Sequence, residues 1–151
     1  MTHSLFSSLS NEPDLIINTD GGSRGNPGEA ATGYVIKDTA GNVQELCGKY
    51  IGVATNNVAE YQAVKEAYIK LLERWGYRSR EVVLKFLLDS QLVVNQLNGN
   101  FKIKNQNLLQ RVRDIRKFEQ NFKQVSYNYI PREKNSEADS LVNKALDERT
   151  T

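Results

Sequence analysis

VVLKFLL (82–88) is apolar at both alternations of an extended chain, the mark of a strand inside a sheet with helices over both of its faces. It ends at Asp89 and is followed by SQLVVNQLNG, which reads as a short helix closed by Gly99. Upstream, LIINT (15–19) is a second apolar, β-branched run ending at Asp20, after which GGSRGNPG interrupts any regular element. ATGYVIKD (31–38) and NVQELCGKYIG (42–52) alternate on either side of TAGN, with Gly41 as the turn residue, so three antiparallel strands open the domain. NNVAEYQAVKEAYIKLLERW (56–75) carries Val58, Tyr61, Val64, Tyr68, Leu71 and Leu72 near helical spacing, with Asn caps in front and Gly76 behind. NQNLLQRVRDIRKFEQNF (105–122) is a second long helix, QVSYNYI (124–130) a strand, and SEADSLVNKALDE (136–148) a last helix capped by Asn135 or Ser136. The order βββαβααβα specifies an α/β fold: a five-stranded mixed sheet, three antiparallel strands then two parallel, flanked by helices.

With 151 residues, 39% hydrophobic and 25% charged, the chain suits one soluble domain over 14–149 behind a flexible tail, 1–13. Such a domain completes its core without metal or disulfide, so a metal bound here is functional. Cys47 is the single cysteine; it is expected as a small core residue and fits a reducing compartment. No run reaches the roughly 18 apolar residues of a membrane span, and residues 1–13 lack a basic start and an apolar core; the expectation is a cytoplasmic monomer with no membrane partner. The net charge of +2 is unevenly spread: residues 101–134 hold 9 Lys and Arg against 3 Asp and Glu. That surplus fits a polyanion-facing surface or an ordinary solvated helix face.

Four carboxylates stand out. Asp20 and Asp89 end strands, Glu60 falls near the start of the long helix, and Asp139 lies in the first turn of the last. Each has an ordinary explanation, the aspartates at strand ends as caps or turn formers and the other two as complements to a helix dipole. Gathered at one sheet edge, the four would repel one another unless hard divalent cations sat between them. Two Mg²⁺ held about 3.5–4 Å apart stabilise the attacking and leaving oxygens of a phosphodiester in line. HExxH, CxxC, GxSxG and Walker A patterns are missing, and GGSRGNPG precedes a strand, so it is no dinucleotide fingerprint.

TDGGSRGNPG (19–28), TNNVAEYQA (55–63), LLDSQLVVNQLNG (87–99) and IPREKNSEADSLVNKA (130–145) stand in the order of four motifs of one family, and over 14–148 the chain resembles the type 1 ribonucleases H. The resemblance implies hydrolysis of the RNA strand of RNA–DNA hybrids, leaving 5′-phosphate and 3′-hydroxyl ends. It implies Asp20, Glu60, Asp89 and Asp139 as catalytic ligands of two Mg²⁺, with Mn²⁺ as a substitute, and Glu60 nearer the RNA 2′-hydroxyl. Asn26, Asn56, Asn57 and Gln91 match positions that contact the minor groove, where 2′-hydroxyls are displayed, and Thr55 a position near a DNA-strand phosphate. By themselves Asn56 also reads as a helix cap, Asn26 as a turn residue and Gln91 as a surface side chain.

The chain departs from the best-studied branch of that family. The loop before Asp139 is short and has no histidine, the only His being His3; Arg132 or Lys134 is expected on substrate phosphate instead. The basic protrusion is reduced to NGNFKIKNQN, with Lys102 and Lys104 as a remnant, and no separate N-terminal hybrid-binding domain is expected, so weak, salt-sensitive binding is expected too. Trp75, Tyr61 and Tyr68 read as core residues, while Phe101 suits either loop anchoring or contact with nucleic acid. Three alternatives stand beside the hybrid nuclease: a silent or weak RNA- or hybrid-binding module, a nuclease also cutting double-stranded RNA, and a DNA-resolving or strand-transfer enzyme. All four acids being present opposes the first, and the amides beside them oppose the last.

Overall fold

A computed structural model describes residues 12–149. Its elements are β1 (Leu15–Gly25), β2 (Gly28–Asp38), β3 (Val43–Ala54), α1 (Asn56–Trp75), β4 (Val83–Leu88), α2 (Gln91–Leu97), α3 (Gln106–Glu119), β5 (Gln124–Tyr129) and α4 (Ser136–Glu148), with 3₁₀ turns at Gly76–Glu81 and Arg132–Lys134. The sheet order is β3-β2-β1-β4-β5; β1, β2 and β3 pair antiparallel, and β4 pairs parallel to both β1 and β5. The fold class expected from the sequence is the one observed. Most of the expected tail, with His3, lies outside the described residues.

β1 differs from its expected extent. The strand does not stop at Thr19 but continues through GGSRG, paired rung by rung with β2 as far as Gly25↔Gly28. The turn comes only at Asn26–Pro27, whose peptide bond is cis. On the β4 side, by contrast, the ladder runs from Leu15↔Leu84 to Asn18↔Leu87. Two residues beyond that last pair come Asp20 and Asp89, where β4 turns away into α2 and the half-unpaired β1 borders a crevice.

α1, α2 and α3 cover one face of the sheet. Ile17, Leu84, Phe86 and Leu88 are fully buried there with Tyr61, Val64, Tyr68 and Leu71 of α1 and Ile115 of α3. Tyr61, Tyr68 and Trp75 are core residues as expected, and Phe101 is half exposed. α4 covers the other face over β1, β2 and β3, with Val142 and Leu146 against Ala31. It does not reach across β4, so Lys85 and Leu87 stay partly exposed, and the double coverage expected for VVLKFLL is complete on one face only. Cys47, expected in the core, is half buried on the edge strand β3.

The helix starts also depart from expectation. Thr55, not an asparagine, caps α1: its Oγ1 accepts from Val58 N–H at 3.2 Å. Ser90 caps α2 by accepting from Val93 N–H. Asn135 precedes α4 but makes no side-chain cap bond. Asn56, Asp89 and Asn135 are thereby released for other partners.

Candidate active site

Two close approaches assemble the site. At Gly21 a Cβ would stand 2.2 Å from the Ala59 carbonyl carbon and oxygen, so only glycine lets the first turns of α1, with Glu60, lie on β1 next to Asp20. On the other face Asp20, Gly33 and Gly48 share one rung across β1, β2 and β3. A Cβ at Gly33 would stand 2.5 Å from Ala138 O and one at Gly48 2.5 Å from Leu141 O. This bare rung seats α4 directly on the backbone and brings Asp139 toward Asp20.

Asp20, Glu60 and Asp89 each offer a carboxylate oxygen within 4.8 Å of the others. They open into a cleft of about 440 Å³ that Asp139, Arg132, Asn56 and Ser23 also line. Asp20 and Glu60 are only 7% and 6% exposed, and Glu60 Oε2 is buried without a hydrogen-bond partner. Asp20 accepts from Gly21 N–H at 3.0 Å. Burial, then the charges of Asp89 and Asp139, push the Asp20 carboxyl up to about 7. Burial, then Asp20 and Asp89, hold Glu60 well above the ordinary carboxylate range. Asp89 is raised chiefly by burial, against the lowering effect of a hydrogen bond from Asn135 and of the Arg132 charge. Oxygen-only donors, an orphaned buried oxygen and crowded negative charge fit a hard divalent cation such as Mg²⁺ or Mn²⁺.

Asn135 was expected only as a cap. It is 1% exposed, and its Nδ2 donates to Asp89 Oδ2 at 3.1 Å and to Thr19 O at 2.9 Å, while its Oδ1 accepts from Asn18 Nδ2 at 3.0 Å. It therefore ties the end of β1 to the Asp89 carboxylate. The signal in the sequence was a second polar residue one turn before Asp139. Asp139 itself, 31% exposed, accepts from Asn143 Nδ2 at 3.2 Å and lies 3.7 Å from the Arg132 guanidinium.

Among the amides, Asn26 Oδ1 accepts from Asn56 N–H at 3.0 Å, and Asn56 Oδ1 accepts from Ser23 N–H at 2.9 Å. Both oxygens being engaged, each amide has its Nδ2 donors to offer outward. Asn26, Thr55 and Asn57 line a second hollow of about 280 Å³ with Asn105 and Asn107, two residues not anticipated from the sequence. Gln91, at the start of α2, and Lys102, Lys104 and Lys134 are exposed and line neither hollow. Of the expected phosphate-binding pair only Arg132 borders the carboxylates.

A family model described as reverse transcriptase-like matches residues 18–145. A "Bifunctional protein Rv2228c" of Mycobacterium tuberculosis is 38% identical over 135 residues, covering 88% of this chain and 35% of the relative. A "Ribonuclease HI" of Halobacterium salinarum is 38% identical over 129 residues, covering 85% of this chain and 62% of the relative. The chain thus spans about a third of the mycobacterial protein and less than two thirds of the haloarchaeal one. Among solved structures, LC11-RNase H1, isolated from compost by a metagenomic approach and crystallised in complex with an RNA/DNA hybrid, superposes with a TM-score of 0.86 at 39% identity, covering 91% of this chain and 99% of that one.

Proposed function

The chain belongs to the type 1 ribonuclease H family, and from that premise we propose that it hydrolyses the RNA strand of RNA–DNA hybrids endonucleolytically, leaving 5′-phosphate and 3′-hydroxyl ends. The observation that carries this reading is the meeting of Asp20, Glu60 and Asp89 beside a row of outward-facing amides. A relative crystallised with an RNA/DNA hybrid supports the substrate class.

In this reading Asp20, Glu60, Asp89 and Asp139 hold two Mg²⁺, or Mn²⁺ in their place. Bound there, the ions supply water activation and charge neutralisation at the leaving oxygen. Asn135 orients Asp89 by donating to its Oδ2. Asn26, Asn56, Asn57 and Gln91 read the minor groove, where amides pair with 2′-hydroxyls and base edges. Thr55 lies against a phosphate of the uncut strand, and Lys102, Lys104 and Lys134 add positive charge around the duplex. Arg132, 3.7 Å from Asp139, takes a substrate phosphate and does so without a histidine in the loop. All four acids being present disfavours a silent binding module, and no observation favours double-stranded RNA or DNA.

The test is cleavage of a labelled RNA–DNA hybrid, with double-stranded RNA and double-stranded DNA in parallel, in Mg²⁺ and in EDTA, for the wild type and Asp89→Asn. Hybrid-selective, metal-dependent cutting abolished by the substitution is the expected result. Tight hybrid binding without cutting in Mg²⁺, or in Mn²⁺ put in its place, would mean a binding module, and cutting that survives Asp89→Asn would misplace the metal ligands.

A further inference from the structure

Arg111 of α3 stands where two hollows adjoin. One is the hollow over Asn26, Thr55, Asn57, Asn105 and Asn107, whose lining includes no charged side chain. The other is a groove of about 580 Å³ between β3, α1 and α3, lined by Lys49, Gln62, Glu66 and Arg111 among others; Val58 borders both. The guanidinium is held on two sides: Nε donates to Asn107 Oδ1 at 3.1 Å and Nη1 to Gln62 Oε1 at 3.2 Å. Gln62 donates in turn to Glu66 Oε2 at 3.0 Å, and Glu66 Oε1 accepts from the buried Thr32 hydroxyl of β2 at 2.5 Å. A relay of side chains thus runs from the sheet interior to the rim of the groove and ends on an arginine.

Both partners of that arginine are neutral amides, so its charge is oriented without being cancelled. A guanidinium has five N–H donors, and the two bonds leave three of them to a ligand, in a planar fork that matches two oxygens of one phosphate. A hollow lined by uncharged amides recognises sugar and phosphate oxygens but supplies no counter-charge, and the arginine bonded to Asn107 in the adjoining groove supplies it.

We propose that Arg111 is a substrate-binding residue that takes a phosphodiester of the nucleic acid other than the one being hydrolysed, and that the Thr32–Glu66–Gln62 relay fixes its guanidinium for that contact. This rests on the hybrid-nuclease reading above. An arginine so placed acts on binding and leaves the chemical step alone.

Steady-state cleavage of a defined RNA–DNA hybrid at several KCl concentrations tests this for the wild type, Arg111→Gln, Arg111→Lys and Gln62→Ala, with circular dichroism confirming each fold. Arg111→Gln is expected to raise KM five- to tenfold with kcat within twofold, and to lower the slope of log(1/KM) against log[KCl] by roughly 0.9, one phosphate contact. Arg111→Lys and Gln62→Ala are expected to keep the slope and raise KM about two- to fourfold, because the charge survives but its orientation does not. An unchanged KM and slope in folded Arg111→Gln, or a loss confined to kcat, overturns the proposal while leaving the nuclease reading standing. A wild type that neither cuts nor binds the hybrid overturns both.

Discussion

Replacing Asp20 by asparagine is expected to stabilise the metal-free protein while abolishing its activity. Burial and the charges of Asp89 and Asp139 raise this carboxyl from 3.8 to about 7. The folded protein therefore holds a proton that the unfolded chain releases near pH 4, and stability declines as pH rises from about 4 through about 7. Above that window the full penalty applies, and a rise of this size corresponds to about 4 kcal/mol as a ceiling. Asparagine keeps an Oδ1 to accept from Gly21 N–H and removes the charge from a residue 7% exposed. In EDTA at pH 8 the variant should gain about 2–4 kcal/mol, an upward shift in Tm of roughly 5–15 °C for a chain of this length. The gain should shrink on acidification and vanish near pH 4. Thermal melts followed by circular dichroism at pH 8, 6 and 4, with and without Mg²⁺, read all of this, and in Mg²⁺ the wild type should recover part of the difference. A variant less stable than wild type at pH 8, or a gain independent of pH, would refute the electrostatic reasoning.

Asn135→Ala strips the hydrogen-bond partner from Asp89, Thr19 O and Asn18 together; a loss of about 1–3 kcal/mol in urea unfolding is expected, with turnover down roughly 10–100-fold and KM less affected. Wild-type turnover in a folded Asn135→Ala would assign the residue a purely structural place. Gly48→Ala drives a methyl against Leu141 O and lifts α4 off the sheet, so a destabilisation of about 1–3 kcal/mol should accompany a fall in turnover. Melts and single-time-point cleavage at saturating hybrid check it, and an unperturbed Tm would mean α4 is not seated as described.

The sequence yielded what periodicity and punctuation encode. α1 at 56–75 and α4 at 136–148 fall on their expected bounds because Gly76 and the NSEAD start mark them locally. All four carboxylates sit at one end of the sheet, as their places at strand ends and helix starts suggested. Glycine tracts such as GGSRG ordinarily end strands; this one continues a strand, since α1 crosses so close to Gly21 that a side chain has no room. That is a property of the partner element, invisible along the chain. Asn135 was hidden for a similar reason, a good capping residue in a capping position whose side chain is taken instead by Asp89 and Thr19. The one-sided cover of β4 and the half-buried Cys47 depend on where α4 and the sheet edge lie, which only the assembled layers determine.

The parallel ladder between β1 and β4 has a consequence in time. Asp20 belongs to the first strand, Asp89 to the fourth and Asp139 to the last helix, and no local segment contains even two of them. Hairpins can close early, but a parallel pair must wait for its crossover, and such long-range closure is the slow part of folding. The full set of four acids therefore comes together with the final topology and not before it. A chain whose fourth strand has not yet paired with the first has no triad of Asp20, Glu60 and Asp89 to offer a cation, and one whose C-terminal helix has come loose lacks Asp139 beside that triad.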